Sequence, residues 1–129
     1  MINPGITNRI ETMVTKENIA GAVGSGTIEV FATPQMINMM EMCCCLSVDE
    51  FMEEGCTTVG SNVNVSHISA TPMGMKVWCE STLTSVDGKK LTFEVKAYDE
   101  KGLIGEGTHE RFIINVEKFM ARTMKKLEG

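Results

Sequence analysis

Residues 33–55 read TPQMINMMEMCCCLSVDEFMEEG, and the way this stretch folds decides the architecture of the chain. Thr33 followed by Pro34 is a helix start. Threonine is a good N-cap, and proline at the first helical position has the right φ and lacks only an N–H that would be unpaired anyway. From there Met36, Met39, Met40, Cys43 and Leu46 recur at helical spacing. Ser47-Val48-Asp49-Glu50 has the pattern of a capping box, which places a break or restart near Ser47. Gly55, after Glu53 and Glu54, supplies a left-handed stop. The predicted helix, Pro34–Glu54, would be ~30 Å long and apolar around much of its girth. Such a helix has to be wrapped, not merely covered on one side.

What wraps it follows in the sequence. Thr58–Ile68 alternates, which predicts Val59, Val63, Val65 and His67 on one face and Thr58, Asn62, Asn64 and Ser66 on the other. Met75–Val86 and Leu91–Asp99 are joined at Asp87-Gly88, a strong hairpin signal. Asp99-Glu100-Lys101-Gly102 makes another turn, Leu103–Val116 a last long strand, and Phe119–Leu127 a short amphipathic helix. Upstream, Thr7–Thr15 suits a strand, Gly21–Gly26 is small and flexible, and Thr27–Phe31 is a short extended run. One long helix followed by an antiparallel meander predicts an α+β fold in which the sheet curls around the helix. The length suits a single domain over residues 1–129 with a core that needs no staples.

Composition narrows the function classes. Every hydrophobic run is broken well before the ~18 residues needed to span a bilayer. The opening MINPGITNRIE has no basic region followed by an apolar one, so a cytoplasmic protein is expected. Cys43, Cys44, Cys45, Cys56 and Cys79 form neither a disulfide framework nor a metal-ligand spacing, and read as small buried side chains of a reduced compartment. Residues 1–64 carry a net charge of −6 and residues 65–129 one of +1. No basic stripe with interleaved aromatics exists, so nucleic acid is not the expected partner. Lys118, Arg122, Lys125 and Lys126 could meet a few phosphates. Their simpler reading is a solvated helix face with cations at its C-terminal end.

Three polar residues interrupt stretches that otherwise read as packing surface: Thr33, Glu41 and His67. Alone, Thr33 is an N-cap and His67 a satisfied core histidine. Glu41 is harder to dismiss, because a carboxylate among Met39, Met40, Met42 and Cys43 is costly to bury unpaired. Together they supply a hydroxyl, a carboxylate and an imidazole, the groups that acyl transfer needs. Eight residues of ideal helix separate Thr33 from Glu41 by ~12 Å. Either the first helical turn is irregular or the group is completed across a dimer.

VFATP at 30–34, ME at 40–41, VNVSHISATPMGM at 63–75 and GEGTHERF at 105–112, with the DGKKL hairpin between the last two, resemble the hotdog-fold acyl-CoA thioesterases. The resemblance is strongest to the branch typified by fluoroacetyl-CoA thioesterase. It implies an antiparallel sheet around a central helix and a homodimer or dimer of dimers with sites at the subunit interface. It also implies an acyl-CoA substrate and no cofactor, coenzyme A being part of that substrate. The family's catalytic threonine, glutamate and histidine fall on Thr33, Glu41 and His67. The glycine whose backbone faces the thioester falls on Gly60, and the substrate-contacting arginine on Arg111. His109 is given no role. The branch carries aromatic residues just ahead of its F-A-T segment; Gly21–Glu29 has none, so fluoroacetyl specificity does not follow.

The expected reaction is hydrolysis of a small acyl-CoA thioester, with His67 as base, Thr33 as attacking or water-holding hydroxyl and Glu41 as partner of the imidazole. Met36, Met39 and Met40 fill space and predict a small pocket. Two alternatives stand beside it. A hotdog hydratase or dehydratase would use the same His and carboxylate, but its usual helix motif is absent. A non-catalytic dimer binding acyl-CoA or another hydrophobic ligand would have no need to bury a Glu–His pair.

Overall fold

The computed structural model describes residues 2–128. A five-stranded antiparallel sheet in the order β1-β3-β4-β5-β2 is built from β1 (Thr7–Met13), β2 (Cys56–His67), β3 (Lys76–Asp87), β4 (Lys90–Asp99) and β5 (Gly102–Asn115). Helix α1 (Ala20–Val23) is a single turn inside the glycine-rich segment. Helix α2 (Thr33–Val48) lies against the sheet, and α3 (Val116–Met124) closes the chain. The α+β architecture expected from the sequence is the one observed. Among the described residues no helix is long and apolar enough to cross a membrane.

The core is the contact between α2 and the sheet. Met36, Met40, Cys43, Cys44 and Val48 of α2 are fully buried against Val77, Cys79 and Leu83 of β3 and Leu91, Phe93, Val95 and Ala97 of β4. At 3.6 residues per turn those helix positions form one stripe. The opposite side is not wrapped within one chain: Met42 is 47% and Leu46 51% exposed. Cys43, Cys44 and Cys79 are buried as expected, Cys45 and Cys56 are half-buried, and all five are free thiols.

Three local expectations are corrected. The helix begins one residue early: Ala32 is the N-cap, without a side-chain bond, and Thr33 is the first helical residue. It also ends early, at Val48, passing into a 3₁₀ turn over Asp49–Phe51. The capping box does not form, because the Ser47 hydroxyl donates backwards to the Cys44 carbonyl at 2.6 Å. Gly55 does adopt a positive φ of 82°, past that turn.

The third correction concerns β2. Its register against β5 slips between Gly60 and Asn62, leaving Ser61 as an extra residue. Val63, Val65 and His67 keep the face that the alternation predicts. Before the bulge the phase is reversed: Thr58 is buried on the helix side, and Val59 shares the outer face with Phe112.

Strand β5 lies close to α2 at Gly105 and close to β2 at Gly105 and Gly107 because it has no side chains there. A Cβ on Gly105 would stand 2.5 Å from Met36 Sδ, which can move aside, and 2.9 Å from the Ser66 carbonyl oxygen, which yields less easily. A Cβ on Gly107 would overlap the Asn64 carbonyl oxygen and lie 2.6 Å from Val65 Cα, and backbone cannot yield cheaply. Gly107→Ala is therefore expected to destabilise the protein by ~1–3 kcal/mol, the usual range for overpacking. Gly105→Ala should cost less. Urea denaturation of both variants reads the order directly; a Gly107→Ala as stable as wild type would show that the two strands can part without penalty.

Candidate functional site

Helix α2 starts where the chain leaves a bridge between Val30 and Pro72, with Phe31 paired to Ile19. Those contacts fix Ala32 as the cap and turn Thr33 outward. Its hydroxyl, not needed by the helix, meets the end of β2: Thr33 Oγ1 and His67 Nδ1 share a hydrogen bond of 2.7 Å. The pair sits in a cleft of about 280 Å³ whose walls include Val30, Phe31, Ile68 and Ala70. The sequence places these two residues 34 positions apart; the fold brings them into contact.

The other nitrogen of the imidazole is the informative atom. His67 Nε2 is buried and has no hydrogen-bond partner, alone in this among the buried side-chain nitrogens and oxygens of the described residues. An unpartnered polar atom in such a place is costly and rare. Burial lowers the His67 pKa below its ordinary 6.5, the Ser69 backbone opposing in part. The ring is therefore held neutral near pH 7, the state a general base requires.

Glu41 is not beside His67. Two turns further along α2, it lies over the bulge of β2. A Cβ at Gly60 would stand 3.1 Å from Glu41 Oε2, 3.2 Å from His109 Cε1 and 3.4 Å from Arg111 Nη1. Gly60 is thus the floor of a second group of polar side chains, and any other residue there would push them apart. Glu41 is half-buried and takes part in none of the ion pairs among the described residues.

Arg111, on the same side of Gly60 as Glu41 and His109, is buried and tied down. Its Nε donates to Thr58 Oγ1 at 2.8 Å, its Nη2 to the Thr58 carbonyl at 2.9 Å, and its Nη1 lies 3.2 Å from His109 Nε2. His109 is 1% exposed, and its Nδ1 is 2.8 Å from the Asn62 carbonyl. A carbonyl only accepts, so Nδ1 carries the proton and Nε2 accepts from Arg111. Burial is the main cause of its lowered pKa, and the adjacent Arg111 guanidinium adds to it, while the Asn62 backbone and Glu41 oppose.

Sequence reasoning missed Thr58 and His109. The available signal was the G-x-H-x-R alternation of 107–111, which places His109 and Arg111 on one face of β5. Thr58 was hidden by the bulge. One chain thus shows two separate groups, Thr33 with His67 and Glu41 with Gly60, Thr58, His109 and Arg111. The expected Glu41–His67 contact does not form within it.

Two consequences can be measured. Because Ala32 holds the cap, Thr33→Ala loses the 2.7 Å bond to His67 and not a cap, and should cost ~0.5–1.5 kcal/mol, whereas Thr33→Ser, which keeps that bond, should cost less. Both histidines have folded pKa values below 6.5. The unfolded chain therefore binds more protons just below pH 6.5, and stability rises with pH there. It should be complete above pH ~7 and decline as pH falls through 6.5 toward the folded values. Denaturation midpoints between pH 5 and 8 check the sign; a midpoint that improves on acidification contradicts it.

With this geometry in view, comparisons with known proteins are direct. The sequence model of the fluoroacetyl-CoA-specific thioesterases matches residues 14–117. A fluoroacetyl-CoA thioesterase from Streptantibioticus cattleyicolor is 41% identical over 98 residues, 76% of this chain and 70% of that protein. The solved structure of a fluoroacetyl-CoA thioesterase superposes with a TM-score of 0.92 at 32% identity, covering 98% of both chains. A hot-dog-like protein from Thermanaerovibrio acidaminovorans, with TM-score 0.90 at 21% identity over 98% of this chain and 93% of that one, shares the fold. The chain belongs to the fluoroacetyl-CoA-specific thioesterase family, on the hotdog fold.

Proposed function

We propose that this chain hydrolyses a small acyl-CoA thioester to the free acid and CoA, in a homodimer whose two sites are each shared between subunits. The observation that carries this reading is the orphaned, buried His67 Nε2 beside a bonded Thr33. If the Thr33 hydroxyl donates to Nδ1, the proton of the neutral ring sits on Nε2 and needs an acceptor. Glu41, on α2, is a carboxylate without an ion-pair partner among the described residues, and it lies over Gly60 and the bulge of the strand that ends in His67.

Strand β2 is an edge of the sheet, twelve residues long, with an unpaired row of backbone groups. Antiparallel pairing of two β2 edges about a two-fold axis sets the His67 end of one against the Gly60 end of the other. Each Thr33–His67 pair then faces Glu41 and Gly60 of the other subunit. That arrangement resolves the ~12 Å separation of Thr33 and Glu41 along one helix. It also covers the half-exposed inner face of Val63 and Val65.

The chemistry follows from these positions. His67 accepts a proton from Thr33, or from a water that Thr33 holds, as the oxygen attacks the thioester carbonyl. Glu41 stabilises the charged imidazolium. Backbone N–H groups at Gly60, where no side chain blocks approach, stabilise the developing oxyanion, and Arg111 holds that segment of β2 in place. As the C–S bond breaks, the proton on the imidazole passes to the leaving thiolate. With water as nucleophile this gives the free acid directly; with Thr33 as nucleophile, a water deprotonated by His67 then cleaves the acyl-threonine, returning the proton to the Thr33 oxygen. Side chains and water suffice for every step, with CoA entering as part of the substrate. The five free thiols suit a reduced, cytoplasmic setting.

His67→Ala and Glu41→Ala should each lower turnover of acetyl-CoA by at least ~100-fold while remaining folded. Mixed after unfolding and refolding together, the two inactive variants should recover activity. Random pairing gives half heterodimers with one intact site each, about a quarter of wild-type activity. No recovery on mixing would place the whole site within one chain.

The cleft volume of about 280 Å³ favours short acyl groups. kcat/KM should fall from acetyl- to palmitoyl-CoA, and a preference for palmitoyl-CoA defeats the small pocket. With no aromatic residue in Gly21–Glu29, discrimination between acetyl- and fluoroacetyl-CoA should stay within ~1–3 kcal/mol.

A further inference from the structure

Arg111 and Glu41 are close together and yet not paired. From the point where a Cβ on Gly60 would stand, Glu41 Oε2 is 3.1 Å away and Arg111 Nη1 3.4 Å away. A modest rotation of either side chain would close an ion pair, but neither residue belongs to one among the described residues. A guanidinium only 7% exposed is costly to bury without a counter-charge. Every acceptor it uses is instead neutral: the hydroxyl and carbonyl of Thr58, at 2.8 and 2.9 Å, and the imidazole of His109 at 3.2 Å.

His109 is the acceptor that takes Nη1, the nitrogen lying over Gly60 beside Glu41. The ring is fixed in that duty. Its Nδ1 donates to the Asn62 carbonyl at 2.8 Å, and its face packs on Phe93 of β4, with 6.3 Å between ring centres and 30° between planes. With the Nδ1 proton committed to Asn62, Nε2 has only a lone pair to offer. A neutral ring can offer it, and burial is the main cause that keeps this one neutral. The next carboxylate along β5, Glu110, is turned to Lys90, 3.4 Å from its Nζ. Glu41 is therefore the carboxylate within reach of Nη1.

We infer that His109 is a positioning residue for the reaction: by accepting from Arg111 Nη1 it keeps the guanidinium off Glu41 and leaves that carboxylate free for His67 of the other subunit. The inference rests on the shared-site reading above and deepens it by naming what keeps Glu41 available. An arginine–carboxylate pair is among the strongest side-chain contacts where water is scarce. A carboxylate engaged in one would stabilise an imidazolium less. His109 itself touches neither the substrate nor a reacting atom; it acts through Arg111 and Glu41.

Two variants separate this role from simple support of the fold. His109→Leu removes the acceptor at similar bulk, whereas the amide oxygen of His109→Gln can still accept from Nη1. In acetyl-CoA hydrolysis, His109→Leu should lose at least ~10-fold in kcat with KM within about two-fold of wild type, because Glu41 acts on a charge that exists only once reaction begins. His109→Gln should retain most of the turnover. The pairing is read separately, from urea midpoints at one protein concentration. Glu41→Gln should lower the midpoint of His109→Leu by more than that of wild type, because only there does it remove an ion pair. Where His109→Leu does not fold, His109→Met keeps the length with only a weak sulfur acceptor and is held to the same outcomes. Undiminished kcat in the folded variant overturns the inference, as does a loss that His109→Gln shares, or an equal effect of Glu41→Gln in both backgrounds. A wild type that does not cleave acetyl-CoA removes the hydrolase reading instead, and the urea comparison still decides whether His109 keeps the two charges apart.

Discussion

A single surplus residue in β2 governs where the polar groups of this protein end up. Side chains along a strand alternate with period two, so inserting one residue inverts every position on one side of the insertion. Ser61 is that residue. Beyond it, His67 faces the helix and meets Thr33. Before it, Thr58 turns inward to hold Arg111, and Gly60 lies open beneath Glu41. Without the bulge one of these two groups would face solvent. The Asn62 carbonyl, bonded to buried His109, pins the irregularity against β5.

The architecture was legible because its signals are strong and local. The period of Met36, Met39, Met40 and Cys43 marks a helix, the Asp87-Gly88 pair marks a hairpin, and both stand where expected. What escaped was decided by tertiary contacts. Thr33-Pro34 looks like a cap and first helical residue, yet the bridges of Val30 and Phe31 to distant segments shift the cap to Ala32. Ser47 and Glu50 have the spacing of a capping box, yet the serine found a nearer acceptor in the Cys44 carbonyl.

The site was legible residue by residue but not as a constellation. Thr33, Glu41, His67, Gly60 and Arg111 were singled out, and each sits beside another of the set or beside Thr58 and His109. Their division into two groups was foreshadowed by helix geometry alone, since eight residues of α2 cannot bring Thr33 and Glu41 together. The bulge leaves little trace in the sequence: Gly60-Ser61 in a strand is compatible with regular pairing as well. Hence the error at Val59 and Thr58, and the failure to see that His109 is held as a buried neutral ring.

The two ends of the sheet are not alike, and the difference bears on how the protein avoids growing into fibres. At one end β1 is seven residues long and carries charges: Arg9 bonds Glu11 at 3.0 Å and lies 5.2 Å from the centre of the Trp78 ring. At the other, β2 is twelve residues long and carries the small polar residues Ser61, Asn62, Asn64 and Ser66. An edge that joins its own copy about a two-fold axis closes after one step, whereas an edge that joins the opposite end of the next molecule propagates without limit. The charged, short β1 is a poor template for such propagation. In the dimer proposed above, sheet extension would end at a pairing that terminates itself.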